Sequence, residues 1–182
     1  MVSADEGIRR DTTLEALGGL KTPFQEDGVV TAGSSSQISD GAAALLVMTS
    51  EHAASLGLRP LARVHTTVLA ADDPVIMLTA PIPATEKALK KSGLAIGDIG
   101  AIEVNEAFAP VPLAWLAETG ADPAVLNAHG GAIALGHPFG ATGARIMTTL
   151  LNALQRTDTE IGLETMCVGG GQGMAVVLQR LR

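Results

Sequence analysis

The chain contains no tyrosine, a single tryptophan, three phenylalanines and one cysteine among 182 residues. With aromatics at only 2%, the stacking platforms of a single-stranded nucleic-acid binder are missing. A net charge of −7 also runs against the basic footprint that a phosphate-backbone binder needs. Nucleic acid is therefore not expected as a partner. The lone cysteine, Cys167, excludes an internal disulfide framework and every multi-cysteine zinc pattern, and no metal is expected. Long apolar runs are scarce as well. The longest uncharged stretch, Pro123 to Ala144, holds five glycines, two prolines and two histidines, which marks a loop feeding a helix and no membrane span. The opening residues, MVSADEGIRRD, lack the apolar segment of a secretion signal. With the unpaired cysteine, this leads to the expectation of a reducing, cytoplasmic setting.

What is present points to a folded domain. Apolar residues make up 47% of the chain and charged ones 17%, enough apolar side chain for one real core. Alanine and glycine together fill 50 positions (29 and 21), so packing must come from close approach of backbones, with helices lying flat on sheets. Along the chain, Thr13 to Leu20 reads as a short helix and Thr31 to Gly41 (TAGSSSQISDG) as a small-residue loop. Ala42 to Met48 is a continuous apolar run that fits a buried strand or a buried helix. A helix over Glu51 to Leu56, closed by Gly57, and a strand over Arg59 to Leu69 follow. Helices are then predicted over Pro83–Ser92, Pro110–Glu118 and Gly140–Arg156, with strands over Ile99–Val104, Glu160–Val168 and Met174–Leu181. The last two strands are joined by GGGQG as a hairpin. Strands alternating with helices and ending in a hairpin predict an α/β fold with a mixed sheet layered with helices.

Three islands place polar residues where packing alone would not ask for them. Asn105-Glu106-Ala107-Phe108-Ala109 sits at the C-terminal end of a strand, where α/β sheets build sites. Its plain reading is a cap on the next helix. Gly130 to Arg145, GGAIALGHPFGATGAR, puts His137 in a loop before a helix N-terminus, whose dipole disfavours the imidazolium. A satisfied structural histidine or a phosphate loop would also fit, although the glycine spacing matches neither dinucleotide nor P-loop patterns. Cys167-Val168-Gly169-Gly170-Gly171-Gln172-Gly173 places a thiol at a strand end beside exposed backbone N–H groups. A small buried hydrophobe is the plain alternative there. Together an amide, an imidazole and a thiol on strand ends form a converging site.

In this order, NEAFA, GGAIALGHPFGATGAR and CVGGGQG resemble the three C-terminal signatures of the thiolases, the acyl-CoA:acetyl-CoA acyltransferases. DEGIRRDTTLEALGGLKTPF, TAGSSSQISDGAAALLVMTSEHA and PIPATEKALKKSGL extend the resemblance over essentially the whole chain. It implies that His137 activates a nucleophilic cysteine and helps form an oxyanion hole, and that Asn105 holds a water completing that hole. It implies further that Cys167 shuttles the α-proton of acetyl-CoA and that the Gly169 backbone N–H serves a second oxyanion hole. Ser36 matches a position near the pantetheine arm of CoA, and Met77 and Phe108 match positions lining the acyl and pantetheine pocket. No cofactor would be bound permanently; CoA and acyl-CoA enter as substrates. Where the family commonly reads TAGN, this chain has Ser34, which alters the hydrogen bonding of that loop.

The family's nucleophilic cysteine belongs to its N-terminal domain, and no cysteine precedes Cys167 here. By resemblance, residues 1–38 are the end of a loop domain, 39–58 the last element of the N-terminal domain, and 59–182 the C-terminal domain. The expectation is therefore a C-terminal half that transfers acyl groups between 3-ketoacyl-CoA or acetyl-CoA and CoA, by thiolytic cleavage or Claisen condensation, only with a complementary N-terminal chain that carries the nucleophile; it is inactive alone and homo- or hetero-oligomeric. Ala42 to Met48 would be uncovered without that partner. The alternative is a non-catalytic half-thiolase that binds acyl-CoA or scaffolds a complex. A decarboxylating condensing enzyme is disfavoured, because those carry a second histidine where Asn105 stands, and neither His129 nor His65 occupies that motif.

Overall fold

The computed structural model describes residues 3–182. The chain opens with a short helix, α1 (Leu14–Gly18), whose cap Thr13 accepts from the Ala16 N–H. A single 3₁₀ turn over Ala32–Ser34 follows. Ser34 closes that turn reciprocally: its hydroxyl accepts from the Thr31 N–H at 2.9 Å while Thr31 Oγ1 accepts from Gly33 N–H at 3.1 Å. The serine thus supplies a local cap within the loop.

Ala42 to Met48 forms neither of the two elements its composition suggested. The segment has no regular structure, and Leu46 and Val47 are 79% and 71% exposed. A continuous apolar run takes up structure only against a surface that buries it, and these residues meet none. α2 (Ser50–Ser55) follows, with Thr49 accepting from His52 N–H.

The body of the fold is a four-stranded sheet in the order β1-β4-β3-β2. β1 (Ala62–Ala71) pairs antiparallel with β4 (Gln172–Arg180), which pairs antiparallel with β3 (Ile161–Val168). β3 in turn pairs parallel with β2 (Ala101–Val104), which makes the sheet mixed. The connections agree with this: a three-residue turn serves the hairpin, whereas the parallel pair is reached through a helical crossover.

Helices cover both faces. α3 (Pro81–Ser92) and α4 (Pro110–Thr119) both start on proline, and each ends on a glycine in the left-handed region, Gly93 at φ 73° and Gly120 at φ 64°. Their Ala84, Ala88, Val111 and Trp115 pack with Ile102, Val104, Leu163 and Val177 of the sheet. Trp115 is fully buried, and its Nε1 donates to Thr85 Oγ1 at 2.8 Å, tying α4 to α3. On the opposite face α6 (Thr142–Thr157) packs Leu150, Ala153 and Leu154 over Ala101, Val176 and Leu178. Each buried valine, leucine or isoleucine among them contributes about 1.5–3 kcal/mol, so these two layers fix the strand ends in place.

Candidate active site

β2 and β3 run parallel, so their C-terminal ends lie side by side. Asn105 follows the last residue of β2, and its N–H donates to the Thr165 carbonyl of β3 at 3.0 Å. Cys167 stands two residues further along β3, at the end of the neighbouring strand. The Gly169–Gly171 turn follows it directly. Asn105 is 1% exposed, Cys167 is half-buried and Gly169 is exposed.

His137 reaches the same strand ends from the loop before α6. Gly136, at φ 91°, turns the chain, and the His137 N–H donates to the Gln37 carbonyl at 2.8 Å. Its ring is held from two sides. Nδ1 lies 2.7 Å from Thr142 Oγ1, and Nε2 lies 3.4 Å from Asn105 Nδ2. The Thr142 hydroxyl donates its one hydrogen to the Pro138 carbonyl at 2.9 Å. With its hydrogen on that carbonyl, the hydroxyl oxygen accepts from the ring, an arrangement that puts the proton on Nδ1. Nε2 is left with its lone pair turned toward the Asn105 amide. The arrangement is that of a neutral base aimed at the strand ends.

Electrostatics keep the ring neutral. Burial lowers the His137 pKa below the ordinary histidine value, and the Arg145 guanidinium lowers it further. Burial and a neighbouring cation, not the helix dipole expected from the sequence, take that role. Burial also raises the Cys167 thiol, against a smaller opposing backbone hydrogen bond, so the sulfur rests as a thiol. The Asn105 Oδ1 is buried with no hydrogen-bond partner, a position suited to accepting from a water.

Glu106 does not cap the helix that follows it. α4 is capped at Ala109 without any side-chain bond. Instead Glu106 reaches across to residues far from it in the chain. Its Oε2 accepts from the Ile133 N–H at 3.1 Å, and its Oε1 accepts from Asn127 Nδ2 at 3.1 Å. Ile133 belongs to α5 (Ala132–Leu135), a single helical turn inside what reads as a glycine loop. A Cβ on Gly131 would collide with the Glu106 carboxylate, so that glycine permits the approach. Asn127 also brackets the Val104 backbone, accepting from its N–H and donating to its carbonyl, each at 2.9 Å.

The remaining expected site residues fall into two groups. Ser36 donates from both its N–H and its hydroxyl to the Ala107 carbonyl, at 3.0 and 3.1 Å, and Ser35 bridges Phe108. Both therefore join the Asn105–Ala109 turn. The Phe108 ring meets Phe24 edge-on at 6.0 Å. Met77 lies apart, in the loop after β1, with φ 63°. That loop is tied to the glycine turn beyond Cys167 by the Asp72 N–H, which donates to the Gly171 carbonyl at 2.7 Å. Phe139, which the sequence reading did not single out, packs edge-on to the His137 ring at 4.6 Å and is 65% exposed. It borders a shallow groove of about 400 Å³ between residues 39–43 and 138–141.

Among the described residues, no group of three or more His, Cys, Asp or Glu side chains is gathered for a metal ion, and no helix is long and apolar enough to cross a membrane.

Comparison with known proteins agrees over the whole chain. The family description "Thiolase, C-terminal domain" matches residues 58–180, and "Thiolase, N-terminal domain" matches residues 1–51. An acetyl-CoA acetyltransferase of Paracoccus denitrificans is 51% identical over 180 residues, covering 99% of this chain and 46% of that protein. A steroid 3-ketoacyl-CoA thiolase of Mycobacterium tuberculosis is 54% identical over 177 residues, covering 97% of this chain and 43% of that protein. The crystal structure of human mitochondrial 3-ketoacyl-CoA thiolase in complex with CoA superposes with a TM-score of 0.91 at 40% identity, covering 100% of this chain and 46% of that one. The chain thus spans about half the length of the curated relatives it matches.

Proposed function

This chain belongs to the thiolase family, and from that premise we propose that it is the C-terminal part of an enzyme transferring acyl groups between 3-ketoacyl-CoA or acetyl-CoA and CoA. The direction is thiolytic cleavage or Claisen condensation. The attacking thiol comes from an N-terminal thiolase polypeptide outside these 182 residues, so the chain alone is inactive. The observation that carries the reading is the tautomer of His137: Thr142 fixes the proton on Nδ1 and leaves Nε2 free to take a proton from that thiol.

The resulting thiolate attacks the substrate carbonyl, and the His137 imidazolium with a water held by Asn105 stabilises the alkoxide. Each such donor contributes about 3–4 kcal/mol to the transition state. Collapse of the alkoxide breaks the α-carbon bond in thiolysis, and Cys167 gives its proton to the departing enolate carbon. In condensation the same thiol, as thiolate, removes that proton. The Gly169 N–H, in the exposed turn after Cys167, donates to the enolate oxygen. Ser36, Phe108 and Met77 line the approach of the pantetheine and acyl chains.

Two features support a complementary polypeptide. No cysteine precedes Cys167 to serve as the nucleophile, and the apolar segment Ala42–Met48 lies uncovered beside the groove next to His137. Seating that segment returns apolar surface to a core at about 25 cal/mol per Å². Assembly as a homo- or hetero-oligomer is part of the same reading, and chemistry run on free thiols suits a reducing cytoplasm.

The test combines the chain with a thiolase N-terminal polypeptide carrying the nucleophilic cysteine and follows CoA-dependent cleavage of acetoacetyl-CoA. Turnover that disappears in His137→Ala and Cys167→Ala supports the proposal. An assembled pair that binds acyl-CoA without turnover overturns it in favour of a non-catalytic, acyl-CoA-binding or scaffolding role.

A further inference from the structure

Behind the site, on the face of the sheet that α6 covers, lies a set of buried charges that acyl transfer does not use. Glu103 of β2 and Glu164 of β3 are register partners on the parallel pair, 3% and 1% exposed. Neighbouring strands lie about 4.8 Å apart, so the two carboxyls leave the sheet side by side. Both project toward α6. Ala101, two residues before Glu103, packs under that helix, and Gly162, two before Glu164, lies against its Leu150 and Leu154. One cation faces them, Arg145 in the first turns of α6. Its Nε and Nη1 are buried without a hydrogen-bond partner, as are both carboxylate oxygens of Glu164. Arg145 lies one turn after Thr142, which holds His137, and Glu103 lies two residues before Asn105 on the same face.

We propose that Glu103, Glu164 and Arg145 form a buried charge cluster in which the two carboxyls share one proton, and that Glu164 and Arg145 are positioning residues that set the charge behind His137. Two carboxylates side by side out of water cannot both ionise at ordinary pH. One negative charge then offsets the one guanidinium, and the cluster is neutral. None of the three side chains makes a direct ion pair among the described residues.

Every group facing Glu164 agrees with this. β2 presents Glu103, with Glu106 just beyond its end. α6 presents Arg145, and β4 presents only Val176 and Met174. Burial raises Glu103 to about 7 and Glu164 to about 8, with Glu103 adding to the rise of Glu164 and Arg145 opposing both. When acid fills the second carboxyl, only Glu106 still opposes the Arg145 charge, which then holds His137 neutral more strongly. When base empties both, a net negative charge favours the imidazolium. The consequence for catalysis rests on the acyl-transfer reading above; the charge arrangement is tested without it.

The experiment follows the His137 ring resonances by NMR against pH in the full chain, with infrared detection of protonated carboxyl groups. The wild-type ring should sense carboxyl ionisation near neutrality as well as its own titration, and a carboxylic-acid band should persist at pH 7. Glu103→Gln and Glu164→Gln should each leave one carboxyl titrating at lower pH than the upper wild-type step, because the like-charge neighbour is gone. Arg145→Gln should raise both the carboxyl steps and His137. A wild-type chain without a carboxylic-acid band at pH 7 overturns the proposal without any variant. So do single variants that delete one step and leave the other unmoved, which is the behaviour of isolated carboxyls with a purely structural role.

Discussion

Asn105 Nδ2 faces His137 Nε2 at 3.4 Å, across a ring whose other nitrogen is already committed to Thr142 at 2.7 Å. The amide therefore meets a lone pair, and the free Oδ1 of the same side chain is buried without a partner. In the assembled enzyme, Asn105→Ala should lower kcat by about 10²–10³-fold with little change in KM, the loss expected for one oxyanion donor. His137→Ala should cost more, since general base and donor are lost together. Steady-state thiolysis kinetics measure both, and a change confined to KM would contradict the assignment.

Thr142→Val keeps the shape of the α6 N-terminus but removes the acceptor that fixes the Nδ1 proton. The imidazole can then populate the other tautomer, which blocks the base. Activity should fall by roughly 10-fold or more while the fold is retained, and nitrogen-detected NMR of the ring should show mixed tautomers. Thr142→Ser should restore both.

Burial raises the Cys167 thiol above its ordinary value, so it should react sluggishly despite its place at a strand end. Iodoacetamide labelling followed by mass spectrometry should give a slower rate than for a free thiol at pH 7.5, with the apparent titration displaced upward. Fast labelling at neutral pH would show that the thiolate is favoured after all.

Glu106 satisfies one N–H at the start of α5 and part of the Asn127 side chain, so its removal leaves half-buried donor hydrogens unpaired. Glu106→Ala should destabilise the chain by about 1–3 kcal/mol in urea denaturation. Gly131→Ala should do comparable damage from the opposite direction, by forcing the carboxylate away.

The two raised carboxyls make stability fall as pH rises. Between about pH 4.5, where an unfolded glutamate ionises, and 7–8, where Glu103 and Glu164 do, the unfolded chain binds fewer protons than the folded one. Unfolding free energy should therefore drop across that window by an amount on the order of a few kcal/mol, then level off. Glu164→Gln should flatten the slope and stabilise the chain at pH 8. His137 acts in the opposite sense below pH 6.5, where the unfolded ring protonates before the folded one. Denaturation midpoints at pH 5, 6.5 and 8 separate the two.

The layers of the fold were legible because their punctuation is local. Proline at the start and glycine at the end mark α3 and α4, and the strands carry their own apolar pattern. The Ala42–Met48 run misled because a stretch without alternation has no period, and its conformation depends on a surface elsewhere. α5 was hidden because its cap, Glu106, is supplied from 27 residues away. The three signatures were readable as motifs, and the structure joins Asn105 to His137 directly and sets Cys167 on the adjoining strand. The buried Glu103–Glu164 pair was not readable at all. An acidic residue inside a strand looks like one on a solvated face, and only register reveals that two of them are neighbours.

The open stretch from Ala42 to Met48 also bears on the life of the polypeptide before it ever meets substrate. Left unaccompanied, such a chain is a client for holdase chaperones and a target for proteases, and it is drained toward aggregates at high expression. How long it persists would then depend on how soon those seven side chains are shielded.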